Sequence, residues 1–127
     1  LSKIKTELIK FIAVGLGSTA INYIFYFLIY QAFEKIILSS IIGYSVGIIN
    51  SYLFGKKWVF NDKSKINKKS VLFFLAVYFT GGIISSLVIY TTNVIINNYI
   101  FSWLIGTCFA TINNFLGSKY IVFRKLV

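Results

Sequence analysis

Four apolar runs of about 20 residues each are the feature that most restricts the fold. Charged or polar residues bound each run, and the runs cover roughly residues 11–31, 36–55, 71–92 and 99–118. Because a helix rises about 1.5 Å per residue, each run is long enough to cross roughly 30 Å of hydrocarbon. The sequence therefore predicts an all-α integral membrane protein with four transmembrane helices. We expect the first run to remain as a span, since it is too long for the apolar core of a cleaved signal peptide.

The overall composition agrees with a membrane protein. Of the 127 residues, 57% are hydrophobic and only 13% are charged, which is more apolar than a water-soluble domain of this size requires. A net charge of +10 on a soluble chain would suggest nucleic-acid binding. Here the basic residues flank apolar runs, so we expect anionic membrane lipids, and no nucleic acid, as partners. The single cysteine, Cys108, excludes an internal disulfide and is interpreted as a packing residue.

The basic residues also predict how the chain is oriented. Twelve of the thirteen lie before the first run, between the second and third, or after the fourth, the last group being Lys119, Arg124 and Lys125. Only Lys35 lies between the first and second runs. Because loops rich in lysine and arginine stay in the cytoplasm, both termini and the middle loop are expected to be cytoplasmic.

An internal repeat divides the chain into two similar halves. Residues 49–60 read INSYLFGKKWVF and residues 112–123 read INNFLGSKYIVF, which agree at six of twelve places. The correspondence continues upstream without a gap at an offset of 63 residues, so that Phe11 aligns with Phe74. We predict a single membrane domain made of two repeats, about residues 9–60 and 72–123. Each repeat holds an even number of spans, so the halves are expected to be parallel about an axis along the membrane normal.

The repeated asparagines lie inside apolar runs. On a regular α-helix, Asn50 shares one face with Gly43 and Lys57, and Asn113 shares the matching face with Tyr120. Glycine and alanine on the same faces would let a neighbouring helix approach closely. Two interpretations stay open: an interhelical hydrogen bond, or a polar groove that also contacts a ligand.

Asn22 lies near the middle of the first run. An amide at that depth is costly to leave without a partner, so we expect it to contact another span or a headgroup that passes through the membrane.

Lysines and aromatic residues follow the second and fourth runs. Lysines at helix ends can extend to the interface, and tryptophan and tyrosine can form an aromatic belt, so these residues could simply anchor the helices. Alternatively, the lysines bind a lipid phosphate while the aromatic rings stack on a sugar or an isoprenoid unit. The candidate substrate-binding residues on the second interpretation are Lys10, Asn22, Asn50, Lys56, Lys57, Trp58, Asn113, Lys119 and Tyr120.

Residue types that carry catalysis are missing from the apolar runs. The chain has no histidine, no carboxylate within a run, and no cluster of cysteine, histidine and aspartate. The sequence therefore predicts no enzyme, no metal site and no cofactor. A proton-coupled exporter is disfavoured for the same reason, because its transport depends on an acid inside the membrane. Glu7 and Glu34, outside the runs or at a border, are expected to be solvated or paired with lysines.

Several of these segments together resemble the GtrA-like family of small four-span membrane proteins. They are the lysine and FIAVG of residues 10–15, Asn22, the stretch INSYLFGKKWVF, and its degenerate copy in the second half. The resemblance implies a role in bacterial cell-surface polysaccharide or teichoic acid glycosylation, with movement of a polyprenyl-phosphate-linked sugar across the cytoplasmic membrane. The second half departs from the pattern by carrying Tyr78, Ser85 and Ile121 where the first carries Gly15, Asn22 and Trp58.

Three functions remain as hypotheses. The leading one is a translocase, or a component of one, for polyprenyl-phosphate-linked sugar. The alternative is a non-transporting membrane partner that anchors a glycosyltransferase or presents the lipid-linked sugar to it. A small transporter of another amphiphile is the third. Since four helices offer limited surface to enclose a long isoprenoid chain, we expect a homo-oligomer, most simply a dimer, or a groove open to lipid.

Overall fold

The four predicted spans are four helices. The computed structural model describes residues 2–123, apart from the side chains of Ser2 and Tyr99, so Arg124 and Lys125 lie outside the described residues. The helices are α1 (Ser2–Phe33), α2 (Ile36–Phe54), α3 (Lys68–Ile96) and α4 (Tyr99–Gly117), and no strand occurs among the described residues. All four are long and apolar enough to cross a membrane. The prediction of an all-α, four-span fold is confirmed.

Two helices extend well beyond their apolar runs. α1 begins at Ser2, so all three lysines before the first run are helical, and α3 begins at Lys68, so Lys68 and Lys69 before the third run are helical too. The Asn67 carboxamide oxygen accepts a hydrogen bond from the Ser70 N–H at 2.8 Å, which caps the start of α3. Charged residues end an apolar run without ending a helix, so hydropathy alone predicted these helices too short.

α2 and α4 each continue into a π-helical segment, where the backbone hydrogen bonds span five residues. We call these segments π1 (Gly55–Val59) and π2 (Ser118–Val122). The Phe60 N–H donates to the Gly55 carbonyl at 2.9 Å, and the Phe123 N–H donates to the Ser118 carbonyl at 2.8 Å. The apolar pattern predicted a regular α-helix through both regions. The wider turn changes which residues after Gly55 and Ser118 face the neighbouring helix.

The chain divides into two compact units between Lys63 and Ser64. In the first unit α1 packs against α2 and π1, and in the second α3 packs against α4 and π2. Equivalent contacts stabilise both: the Phe11 and Phe60 rings are 6.2 Å apart in the first unit, and the Phe74 and Phe123 rings are 6.0 Å apart in the second. The predicted parallel arrangement of the two halves stays a prediction.

The connections between paired helices are short and use the left-handed backbone region. Glu34, between α1 and α2, has φ 54°, and Asn97, between α3 and α4, has φ 57°. Each N–H donates at 2.8 Å to the carbonyl four residues earlier, which ends the preceding helix. Asn98 then starts α4, because its side-chain oxygen accepts a hydrogen bond from the Phe101 N–H at 3.1 Å.

Candidate functional site

The predicted site residues of the first unit lie at two depths. Lys10, Lys56, Lys57 and Trp58 are at the end of the unit that contains π1, whereas Asn50 and Asn22 lie deeper along α2 and α1.

The first unit exposes a cation and an aromatic ring together at the π1 end. Lys10 Nζ lies 5.3 Å from the centre of the Trp58 ring, which is a distance typical of a cation–π interaction. Trp58 is 47% exposed, so its ring remains accessible beside this lysine. Lys57, next to Trp58 in π1, is also exposed. We call Lys10, Lys57 and Trp58 the cationic cluster, in which the contact between Lys10 and Trp58 joins α1 to π1.

Lys56 differs from its exposed neighbours. It is only 3% exposed, and its Nζ lies 3.3 Å from an Asp62 carboxylate oxygen. The Asp62 N–H also donates to the Lys56 carbonyl at 2.7 Å. Lys56 was expected at the membrane face with Lys57, but the π-helical turn directs it into the unit instead. Its position indicates a structural role, in which the ion pair fixes the chain where it leaves π1.

The Asn50 side chain makes an interhelical hydrogen bond. Asn50 Nδ2 donates to Ser18 Oγ at 2.8 Å, and the buried Ser51 hydroxyl donates to the same oxygen at 2.7 Å. Ser18 on α1 therefore accepts from two consecutive residues of α2. This contact agrees with the first of the two interpretations left open by the sequence. Asn50 is half-buried, so part of its amide still faces away from Ser18.

Asn22 faces the glycines of α2. A Cβ placed on Gly43 would lie 2.6 Å from both the carbonyl and the side-chain oxygen of Asn22, so only glycine fits at this crossing. The Asn22 carboxamide makes no hydrogen bond with any residue in the described range 2–123. The side chain is half-buried near the middle of the apolar run of α1. The first unit thus carries an amide at mid-depth without a protein partner among those residues.

The second unit repeats the asparagine contact with different partners. Asn113 Nδ2 donates to the Val77 carbonyl at 3.0 Å and to the Asn114 side-chain oxygen at 3.2 Å. Asn114 packs against Gly81, where an added Cβ would collide with its side-chain oxygen. Ser18 and Ser51 of the first unit are thus replaced by glycine and asparagine at the corresponding positions. A smaller residue on one helix compensates for a larger one on the other.

Asn113 and Tyr120 line one open groove between α3 and α4, with a volume of about 510 Å³. Lys119 lies at the same end as Tyr120, with its Nζ 5.5 Å from the centre of the tyrosine ring. The residues that line the groove are Phe73, Ala76, Val77, Thr80, Asn113, Leu116, Gly117, Tyr120 and Ile121. The structure therefore places Asn113 and Tyr120 along one groove, with Lys119 beside its Tyr120 end.

Comparison with known proteins identifies the family. The family described as GtrA/DPMS, transmembrane domain, matches residues 10–123, which include most of both units and both π-helical segments. The chain belongs to the GtrA/DPMS transmembrane family. An uncharacterized membrane protein of Bacillus subtilis (strain 168), YngA, is 31% identical over 121 residues, which cover 95% of this chain and 81% of the relative. The predicted family resemblance is confirmed.

Membership of the GtrA/DPMS family has a functional consequence at a coarse level. The chain is a multi-pass membrane protein with four candidate spans, and its family implies a role in the handling of polyprenyl-phosphate sugars. This class of ligand has a phosphate, a sugar and a long apolar chain. The cationic cluster and the groove of this GtrA/DPMS protein offer the matching chemistry of cations, an exposed indole ring and apolar walls.

Several polar residues of this GtrA/DPMS protein were missed from sequence. Ser18, Asp62 and Asn114 contact the predicted Asn50, Lys56 and Asn113, respectively. The fourth missed residue, Ser51, donates to Ser18. Ser18 and Ser51 could have been found by pairing the polar residues of adjacent spans. Glu7 was expected to be solvated or paired with lysine; it is only 7% exposed, so of these two expectations the pairing with lysine stays a prediction.

Proposed function

We propose that this chain is a translocase, or the membrane component of a translocase, for polyprenyl-phosphate-linked sugar in bacterial cell-surface polysaccharide or teichoic acid glycosylation. The membrane is the bacterial cytoplasmic membrane, with both termini and the middle loop on the cytoplasmic side. The partners are the lipid-linked sugar, anionic membrane lipids and a second copy of the chain, and the function includes no catalytic step.

The cationic cluster provides the interfacial part of this function. Lys10 and Lys57 supply ammonium groups for the phosphate, and the exposed Trp58 ring supplies a flat apolar surface for the sugar or the first isoprenoid unit. The positive-inside pattern assigns this end of the unit to the cytoplasmic side. A headgroup held here is bound but has not yet crossed the membrane.

The position of the Asn22 carboxamide, at mid-depth and without a hydrogen-bond partner in residues 2–123, is the single observation that favours translocation over presentation. A protein that only presents a lipid-linked sugar to a glycosyltransferase needs polar groups at the interface, where the headgroup remains. A polar group at mid-depth costs free energy in hydrocarbon unless it has a hydrogen-bond partner. The Asn22 carboxamide is half-buried at this depth and has no hydrogen-bond partner in residues 2–123. A sugar hydroxyl or phosphate that passes through the membrane supplies the missing partner.

Reconstitution of the purified protein tests this proposal directly. Proteoliposomes carry a polyprenyl-phosphate sugar with a fluorophore on the sugar, and a membrane-impermeant reagent then destroys the fluorophores of the outer leaflet. A translocase moves inner-leaflet lipid to the outer leaflet, where the reagent reaches it. A second decay of the fluorescence then follows and ends below the level left in protein-free liposomes. Asn22→Leu should abolish this second decay while it leaves binding of the lipid intact.

The same experiment separates the alternative function. If wild-type protein binds the lipid but causes no second decay, the translocase proposal is wrong. Co-purification with a glycosyltransferase would then identify the chain as the anchoring or presenting partner. A second decay of equal rate with a fluorescent phosphatidylglycerol would instead indicate a transporter of amphiphiles in general.

A further inference from the structure

The groove of the second unit has polar groups at both ends and apolar walls between them. Because α3 and α4 are antiparallel, Phe73 and Tyr120 lie at one end, and Thr80 and Asn113 lie at the other. Seven residues separate the two ends on each helix, which corresponds to a length of about 10 Å. The groove therefore follows the helices from the loop side into the apolar part of the spans.

Two lysines lie at the loop end of the groove. Lys69 Nζ is 5.6 Å from the centre of the Phe73 ring, and Lys119 Nζ is 5.5 Å from the centre of the Tyr120 ring. Both rings line the groove. Each ammonium group is thus held next to an aromatic wall at the groove entrance. A ligand that fits this charge distribution has an anionic head and a hydrocarbon chain.

The first unit carries different residues at the corresponding positions. Lys57 and Trp58 stand where the groove has Tyr120 and Ile121, and Phe54 stands where it has Gly117. Glycine at 117 allows Val77 of α3 to pack directly against the α4 backbone, since an added Cβ would collide with the valine side chain. On the α3 side of the groove, Phe73 occupies the position that corresponds to Lys10 of the first unit. These differences make the second unit more apolar where the first is more cationic.

We propose that this groove binds the isoprenoid units next to the phosphate of a polyprenyl phosphate, with the phosphate at Lys69 and Lys119. The ligand class rests on the proposed function. A polyprenyl phosphate has one chain for each phosphate, which matches one groove with cations at one end. A glycerophospholipid has two chains, and a groove of this size leaves one of them outside. The second unit is thus a lipid-chain site, in addition to the cationic cluster of the first.

Photolabelling tests the chain site without any requirement for transport. The intact protein in phosphatidylcholine nanodiscs is incubated with a polyprenyl phosphate that carries a diazirine on its chain, and the labelled peptides are located by mass spectrometry. Label is expected in residues 73–80 and 113–121. Ala76→Phe places a ring in the groove and should reduce this labelling about tenfold or more.

Gly82→Phe is the matched control. Gly82 also lies on α3, about 200° around the helix from Thr80, and an added Cβ there meets no atom within 4 Å. This variant should label like the wild type. If Ala76→Phe does not yield folded protein, Thr80→Leu fills the deep end with a smaller change and should also lower labelling. Undiminished labelling in the folded groove variants would overturn the proposal.

Competition distinguishes the two sources of a phosphate lipid. Excess unlabelled polyprenyl phosphate should suppress labelling of the groove, whereas the same excess of phosphatidylglycerol should not. Equal competition would show that the groove holds ordinary lipid and would overturn the proposal. Failure of the transport assay together with specific labelling removes the translocase function and leaves the chain site. Transport without labelling of the groove removes the chain site and leaves the translocase function.

Discussion

Lys10 of α1 and Trp58 of π1 lie against each other, with the lysine Nζ 5.3 Å from the centre of the indole ring. Trp58→Leu removes the aromatic face and should weaken binding of polyprenyl-phosphate sugar about 3- to 30-fold, which corresponds to about 0.7–2 kcal/mol. Trp103→Leu is the control, because Trp103 is similarly exposed but lies on α4. Affinity can be measured by fluorescence titration in nanodiscs. Equal losses of affinity in both variants would show that Trp58 acts only as a general interfacial anchor.

The two consecutive lysines of π1 should have separable roles. Lys56→Gln removes the ion pair between this side chain and Asp62, so the variant should lose about 1–3 kcal/mol of stability. Lys57→Gln changes an exposed side chain and should weaken lipid binding with little effect on stability. Thermal unfolding in detergent and lipid titration, both carried out on each variant, provide the comparison. The assignment is wrong if Lys57→Gln melts earlier than Lys56→Gln.

Ser18 and Ser51 in the first unit correspond to Gly81 and Asn114 in the second. We therefore expect that a second substitution can rescue a destabilising change at Gly81. Gly81→Ser should destabilise the protein because an added Cβ collides with the Asn114 side chain. Asn114→Ser in the same chain recreates the pair formed by Ser18 and Ser51 and should restore most of the lost stability. The expected coupling is about 0.5–3 kcal/mol, as for other residues in direct contact. Additive losses in a double-mutant cycle would contradict this packing account.

Gly43 should tolerate no side chain. A Cβ at this position would lie 2.6 Å from the Asn22 carbonyl oxygen, which belongs to the rigid backbone of α1. Gly43→Ala should therefore separate the helices and cost about 1–3 kcal/mol. Gly15→Ala is the matched control, since no atom lies within 4 Å of an added Cβ, and alanine favours the helix by about 0.5–1 kcal/mol. Opposite shifts in melting temperature are expected, and a loss of equal size in both would reject the steric explanation.

Much of the fold could be predicted from sequence because membrane insertion imposes strict lengths. Apolar runs of about 20 residues allow little besides helices in hydrocarbon, where every backbone group needs an internal hydrogen bond. The helix ends were less predictable. Lys68 and Ser2 continue their helices into a polar region, where hydropathy carries no information about backbone conformation.

The candidate site was harder to predict because it depends on the π-helical segments. A regular helix would place Lys57 on the face of Asn50, but the wider turn after Gly55 exposes Lys57 and buries Lys56. No local pattern in GKKWV distinguishes a π-helical turn from an α-helical one. An interhelical hydrogen bond was one of the two interpretations of the repeated asparagines, and Asn50 and Asn113 do contact the neighbouring helix. Their partners, Ser18 Oγ and the Val77 carbonyl, depend on interhelical geometry that one sequence does not provide.

Initial translocation rates in proteoliposomes, measured for wild type and for the double variant Lys10→Gln and Lys57→Gln, test the central claim most directly. Loss of both cations of the cluster removes the phosphate contacts at the interface, so the double variant should translocate polyprenyl-phosphate sugar about tenfold more slowly or worse. Lys63→Gln and Lys65→Gln together make the same change of charge in the exposed loop and should leave the rate unchanged. Rapid translocation by wild type, slow translocation by the cluster variant and normal translocation by the loop variant are the predicted results. Equal rates for all three folded proteins would contradict the account.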